Sequence, residues 1–323
     1  MMTNPLTGEL EPLDFEYIHE QIPEINRLAL DVIPISIDKP IDSAQMHPAH
    51  WIELAELIAQ HYNHVDGIVI LHGTDTMAFT ASALSFMIQD LGKPIVLTGS
   101  QLPVGVLRSD GKENLLAALE IAGNKHPSGK PVLTEVAVFF QSKLFRGNRV
   151  SKISAHQFDA FDAPNYPLLG SAGVDITIYY DRLIPCSDNS PTFNPNLNPN
   201  VGLVKLYPGI DLTAYASVFN IKNHKAVVLE TYGAGNTPNH PEFERPLKEY
   251  VANGGILVTI TQCTSGSVQP GKYASGHLLS HLGAWNGTDL TSEAAITKLM
   301  WLLANTQRLT QEIFLTPLEG ENT

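Results

Sequence analysis

Residues 67–103 read GIVILHGTDTMAFTASALSFMIQDLGKPIVLTGSQLP, and this stretch decides the fold. Gly67–Leu71 is a continuous apolar run, too short for a helix and rich in β-branched residues, so it reads as a buried parallel strand. The run stops at His72-Gly73-Thr74-Asp75-Thr76, where the residues turn small, polar and flexible. A helix is predicted from Thr76 to about Asp90, closed by Leu91-Gly92-Lys93-Pro94 with a glycine stop and a proline just beyond. Pro94–Leu97 is a second apolar strand, ending at a second polar tip, Thr98-Gly99-Ser100-Gln101. Two polar tips at the carboxyl ends of neighbouring parallel strands are where open α/β sheets receive ligands. A doubly wound, mostly parallel α/β sheet with a site at these tips is therefore expected.

Thr74 and Asp75 stand at the strand-to-helix junction, where free backbone N–H groups favour anions. A threonine hydroxyl there serves as nucleophile or orients water only with a base beside it. The plain alternative is that Thr74 or Asp75 caps the helix, as such residues often do.

Working outward, Asn4–Pro12 is turn-rich and shows no strand pattern. Phe15–Ile25 is read as holding a short helix, and Ala29–Ile37 as a strand that Pro34 pushes towards a sheet edge or bulge. Pro40–Met46 is a loop before a helix from about Pro48 to Tyr62. His47, His50, His61 and His64 complete no metal-ligand spacing, so surface or packing roles are expected and no metal. Gly111–Gly123 reads as a helix and Glu135–Phe140 as a strand, and most basic residues of the following run 143–152 are expected to be solvated, Lys152 being the exception. Cys186–Gly202, dense in Asn, Pro and Ser, reads as a linker between residues 1–185 and a smaller α/β domain over 203–323. In that second part Leu203–Tyr207, Ala226–Glu230 and Ile256–Thr261 are predicted strands, and Pro241–Ala252 and Thr291–Asn305 predicted helices. Cys263 at a strand tip has no paired histidine and is not favoured as a nucleophile.

Composition excludes several classes. The 323 residues are 43% hydrophobic and 16% charged, which suits globular domains. A net charge of −13 disfavours a nucleic-acid surface, which needs clustered Lys and Arg. No run reaches the roughly 18 apolar residues of a membrane span. Two cysteines make no disulfide framework, and the first residues show neither a basic nor an apolar leader region, so a cytoplasmic location is expected.

HGTDTM, LTGSQLP and RSDGKENL closely resemble the asparaginase family in its intracellular bacterial (type I) branch. The likeness continues in order through FRGNRVSK, FDAFDAPN, YPGI, YGAGN and TQCTSGSV, and PIDSAQMHPAHWIELAELI is similar to the family's substrate-binding Asp-Ser segment. The resemblance implies an amidohydrolase acting on L-asparagine with no cofactor or metal, assembled as a homodimer or homotetramer. It implies catalytic roles for Thr74, Asp75 and Lys152, and substrate contacts from Ser43, Asp42, Thr74 and Asp75. The family's T-G-G-T-I-G stretch, whose first threonine is the acyl-accepting nucleophile, does not occur here. Met1–Leu10 resembles the loop after that motif, so the chain as written is expected to lack the family's first strand and to be weakly active and poorly stable. Two further readings remain: a non-catalytic amino-acid-binding or assembly protein, and a tRNA-dependent amidotransferase subunit.

Overall fold

The computed structural model describes residues 2–3, 10–11, 15–37, 41–269 and 277–323, arranged as two compact units, 1–195 and 196–323. The stretch likened to a loop at Met1–Leu10 and the loop start at Pro40 lie largely outside the described residues.

The first unit opens with β1 (Met2–Thr3) and β2 (Leu10–Glu11), which pair antiparallel although no strand pattern is legible there. Helix α1 (Phe15–Gln21) and a 3-10 turn, Pro23–Arg27, follow. Ala29–Ile37 forms no strand, which corrects the sequence reading: Ile33 and Ile35 are exposed and Pro34 withholds an N–H from any ladder. Helix α2 (Pro48–His61) begins with a histidine cap, the His47 ring accepting from the Ala49 N–H. His50 accepts in turn from the His47 N–H, so these two histidines serve the helix end.

Strand β3 (Ile68–Leu71), helix α3 (Met77–Met87), β4 (Ile88–Gln89) and β5 (Ile95–Thr98) follow. β3 and β5 pair parallel from Ile68 opposite Ile95 to Leu71 opposite Thr98. The predicted burial of β3 is only partly realised: among the described residues it stands at the sheet edge with β5 as its one ladder neighbour, and Leu71 is 45% exposed. α3 is buried nearly all round, as its run of Ala, Ser, Met and Phe requires, and ends three residues early because Ile88–Gln89 turns to pair with a later strand.

Helix α4 (Gly111–Gly123) leads to β6 (Val136–Phe140) and β7 (Lys143–Arg146), then β8 (Ser151–Lys152), β9 (Phe161–Asp162), β10 (Gly170–Ala172) and β11 (Ile176–Ile178). The main sheet runs β11-β10-β7-β6-β5-β3. It is mixed: β3, β5 and β6 are parallel, and the pairings beyond β6 are antiparallel. Val96, Ala137, Phe139 and Leu144 pack against Ala118 and Ile121 of α4. Within Cys186–Gly202, Thr192–Phe193 forms β12 on β4, so part of this Asn- and Pro-rich stretch is tied into the first unit.

The second unit contains β13 (Val201–Lys205), β14 (Ala226–Thr231), α5 (Pro241–Ala252), β15 (Ile256–Thr261), α6 (His277–His281), β16 (Trp285–Asn286), α7 (Ser292–Asn305) and α8 (Gln311–Leu315). Its four strands are all parallel in the order β13-β14-β15-β16. Val227, Leu229 and Leu257 pack against Phe243, Leu247 and Tyr250 of α5. Among the described residues no helix is long and apolar enough to cross a membrane.

Candidate active site

The tip of β3 is shaped by close backbone approach. A Cβ on Gly73 would stand 2.5 Å from Ser43 Oγ, so only glycine lets Ser43 lie against the tip. Thr76 reinforces this by donating its hydroxyl to the Ser43 carbonyl at 2.7 Å. Thr76 is also the N-cap of α3, yet no side chain caps that helix end, so Thr74 and Asp75 are not spent on capping.

Lys152 arrives from β8, which pairs antiparallel with β9 (Ser151 opposite Asp162, Lys152 opposite Phe161). Its Nζ donates to Thr74 Oγ1 at 2.8 Å and to Asp75 Oδ1 at 2.7 Å. The Lys152 side chain is 17% exposed and that of Asp75 62%, so the pair faces solvent on the carboxylate side. Thr74 in turn donates its hydroxyl hydrogen to Gln101 Oε1 at 3.0 Å. The threonine oxygen thus accepts from an amine and gives its own hydrogen to an amide oxygen, which sets a titratable amine within hydrogen-bond reach of a hydroxyl.

The structure therefore brings Thr74, Asp75 and Lys152 together, with Ser43 buried beside Gly73. Asp42 is placed differently. It is exposed and its carboxylate accepts from the Ala44 N–H at 3.0 Å, capping the 3-10 turn Ser43–Gln45, which is turn chemistry.

Gln101 is a site residue that sequence reasoning located only as part of a polar tip. Its side-chain amide also donates to the Gln157 carbonyl at 2.9 Å, linking Thr74 to the loop after Lys152. Its backbone N–H donates to both oxygens of Asp110, at the start of α4, and Asn114 Nδ2 reaches the Gly99 carbonyl at 2.9 Å. The Asp and Asn of RSDGKENL were the signal for this support.

The basic run before Lys152 corrects an expectation. Arg146 and Arg149 are buried rather than solvated. Arg146 Nε donates to the buried Glu135 Oε2 at 2.6 Å, and its guanidinium lies 4.2 Å from the Tyr166 ring centroid. Arg149 donates to the Asn165 carbonyl at 2.7 Å. A paired carboxylate and an aromatic face make burial of these cations tolerable, and the loop they anchor carries Lys152.

Residues 1–184 match the family model for the asparaginase N-terminal domain, and residues 200–313 match that for the glutaminase/asparaginase C-terminal domain. The chain is 44% identical to L-asparaginase 1 of Escherichia coli over 284 residues, covering 88% of this chain and 82% of that one. The chain belongs to the asparaginase family. The crystal structure of L-asparaginase I from Vibrio cholerae superposes with a TM-score of 0.85 at 39% identity, covering 96% of this chain and 93% of that one. The thermostable L-asparaginase of Thermococcus kodakarensis gives a TM-score of 0.87 at 32% identity, covering 100% and 95%. The α/β architecture of this chain is thus that of asparaginases.

Proposed function

We propose that the protein is an amidohydrolase that converts L-asparagine and water to L-aspartate and ammonia by threonine-based chemistry, without cofactor or metal. The observation that carries this reading is the contact of Lys152 Nζ with both Thr74 Oγ1 and Asp75 Oδ1. In this reading Thr74, Asp75 and Lys152 orient a water whose oxygen attacks the side-chain amide carbon. Lys152, after giving a proton to Asp75, takes one from that water as its oxygen bonds to the amide carbon, and returns it to the nitrogen as the carbon–nitrogen bond breaks, so that ammonia leaves and the water's hydroxyl stays in the new carboxyl group. Backbone N–H groups near Gly73 and Thr74 stabilise the developing oxyanion. Ser43 receives the amino-acid end of the substrate, with Asp42 a weaker contributor. Residues 1–185 form the catalytic domain, 186–202 the connection and 203–323 an assembly domain, and the protein works in the cytoplasm as a homodimer or homotetramer.

The test is a direct assay of ammonia and L-aspartate formed from L-asparagine, run beside calorimetric binding of L-aspartate and light scattering. Ammonia release that Lys152→Met removes, with L-aspartate binding retained, supports the reading. Tight L-aspartate binding with no ammonia release points instead to an amino-acid-binding protein.

A further inference from the structure

Behind the site lies a polar chain that the proposed reaction does not use. Trp51 of α2 is buried and donates its Nε1–H to Thr80 Oγ1 at 2.9 Å. Thr80 of α3 is fully buried, and its hydroxyl lies 2.8 Å from His72 Nε2. The other ring nitrogen, His72 Nδ1, lies 2.7 Å from the Gly73 carbonyl oxygen.

With the ring neutral, one proton arrangement satisfies every contact. An indole N–H only donates, so Thr80 Oγ1 accepts from Trp51 and its own hydrogen is left for His72 Nε2. A carbonyl oxygen only accepts, so Nδ1 must carry the ring proton. A neutral His72 is therefore in its Nδ1–H form. Burial favours the neutral ring, pushing the His72 pKa below the usual imidazole range against the opposing pull of the Gly73 carbonyl.

The Gly73 carbonyl matters as an acceptor because it belongs to the peptide that leads into Thr74. That peptide is planar, so a hold on its carbonyl also fixes the Thr74 N–H and the start of the Thr74 backbone. Glycine places few limits on its orientation, so an outside hold is needed. We infer that His72 is a positioning residue, whose Nδ1–H holds the Gly73–Thr74 peptide so that Thr74 Oγ1 meets Lys152. This inference rests on the reading of Thr74, Asp75 and Lys152 as the reacting cluster.

The experiment separates positioning from core filling. Asparagine carries an amide N–H close to where Nδ1 stands, whereas leucine fills space without a donor. The full chain and its His72→Asn, His72→Leu and Thr80→Val variants are treated with a water-soluble amine-acetylating reagent. Acetylation of Lys152 is timed by mass spectrometry against Lys248, an exposed lysine paired with Glu244 in the second unit. Thermal melts accompany each variant.

The Lys152 rate should rise about tenfold in His72→Leu, the effect of losing one part-buried hydrogen bond, and stay within about twofold of native in His72→Asn. Thr80→Val should fall between them. An unchanged Lys152 rate in His72→Leu overturns the inference, as does a His72→Asn rate equal to that of His72→Leu at native melting temperature. Should His72→Leu fail to fold, a tenfold rise in the folded His72→Asn overturns it, and a near-native rate there with a raised rate in Thr80→Val supports it. The predicted labelling pattern in a chain that neither releases ammonia nor binds L-aspartate sinks the functional reading and leaves the positioning role standing.

Discussion

Two lysine–carboxylate pairs, one in each unit, have the same chemistry and opposite fates. Lys298 of α7 and Glu321 are both fully inaccessible, and they form a short ion pair. Lys298 also donates to the Thr316 carbonyl at 2.9 Å, while the Glu321 carboxylate accepts from the Leu318 and Glu319 N–H groups. Burial pushes the Lys298 pKa down and the Glu321 charge opposes that shift. Lys152 and Asp75, by contrast, pair with the carboxylate largely in solvent and a threonine oxygen as the amine's other acceptor. A closed, saturated pair holds the end of the chain in place. An open pair that shares its amine with a hydroxyl is free to move protons. Burial and the remaining partner, and not the ion pair itself, separate the structural Lys298 from the Lys152 proposed to react.

The sharpest way to break this comparison is Lys152→Met. Whatever ammonia release the chain shows should fall by at least about a hundredfold, the lower range for a lost proton-transfer group. The melting temperature should move little, because the carboxylate left behind lies largely in solvent and a pair open on that side is worth about 0–1 kcal/mol. Both are read on one sample, and a large loss of stability with activity retained would reverse the assignment.

Lys298→Met should do the opposite. Leaving Glu321 buried and unpaired costs about 3–5 kcal/mol, visible in denaturant unfolding. L-Aspartate affinity per folded molecule should stay at the native level. A cost below about 1 kcal/mol would show that the buried pair stabilises no more than a surface one.

Ser43→Ala sharpens the site side of the comparison. Losing a hydroxyl that donates to a charged carboxylate should weaken L-aspartate binding by about tenfold to a hundredfold, with little change in melting. An unchanged binding isotherm removes Ser43 from the site.

The smallest expected effect concerns pH. Burial lowers the folded-state pKa of His72 below its unfolded value near 6.5. Below that value the unfolded chain binds the extra proton, so this contribution is present above about pH 6.5 and is lost as pH falls through the folded-state pKa. The slope is at most about 1.4 kcal/mol per pH unit. His72→Asn should remove that part of the acid-side slope, and unfolding curves measured between pH 5 and 7 that superimpose in slope would count against it.

Much was readable locally. The apolar run of β3, the polar tip after it, the helix Gly111–Gly123 and the strand Ile256–Thr261 follow from residue periodicity and from glycine and proline punctuation. Thr74 and Asp75 stand out in the same way, as a hydroxyl and a carboxylate side by side at a strand end. Lys152 was legible through family resemblance alone, since no short-range rule links it to a threonine 78 positions earlier.

Only the folded arrangement could show that Arg146 and Arg149 are buried, because their tolerance depends on Glu135 and Tyr166, which lie elsewhere in the chain. It alone shows that Ala29–Ile37 forms no strand, since a strand exists only where a neighbour supplies a ladder. It also made Gln101 the acceptor for Thr74 and put His72 between Thr80 and the Gly73 carbonyl. Sequence determines which groups each segment can offer, through side-chain chemistry and local geometry. Which of those groups meet is settled by packing between distant segments, where hydrogen-bond partners and burial are assigned together.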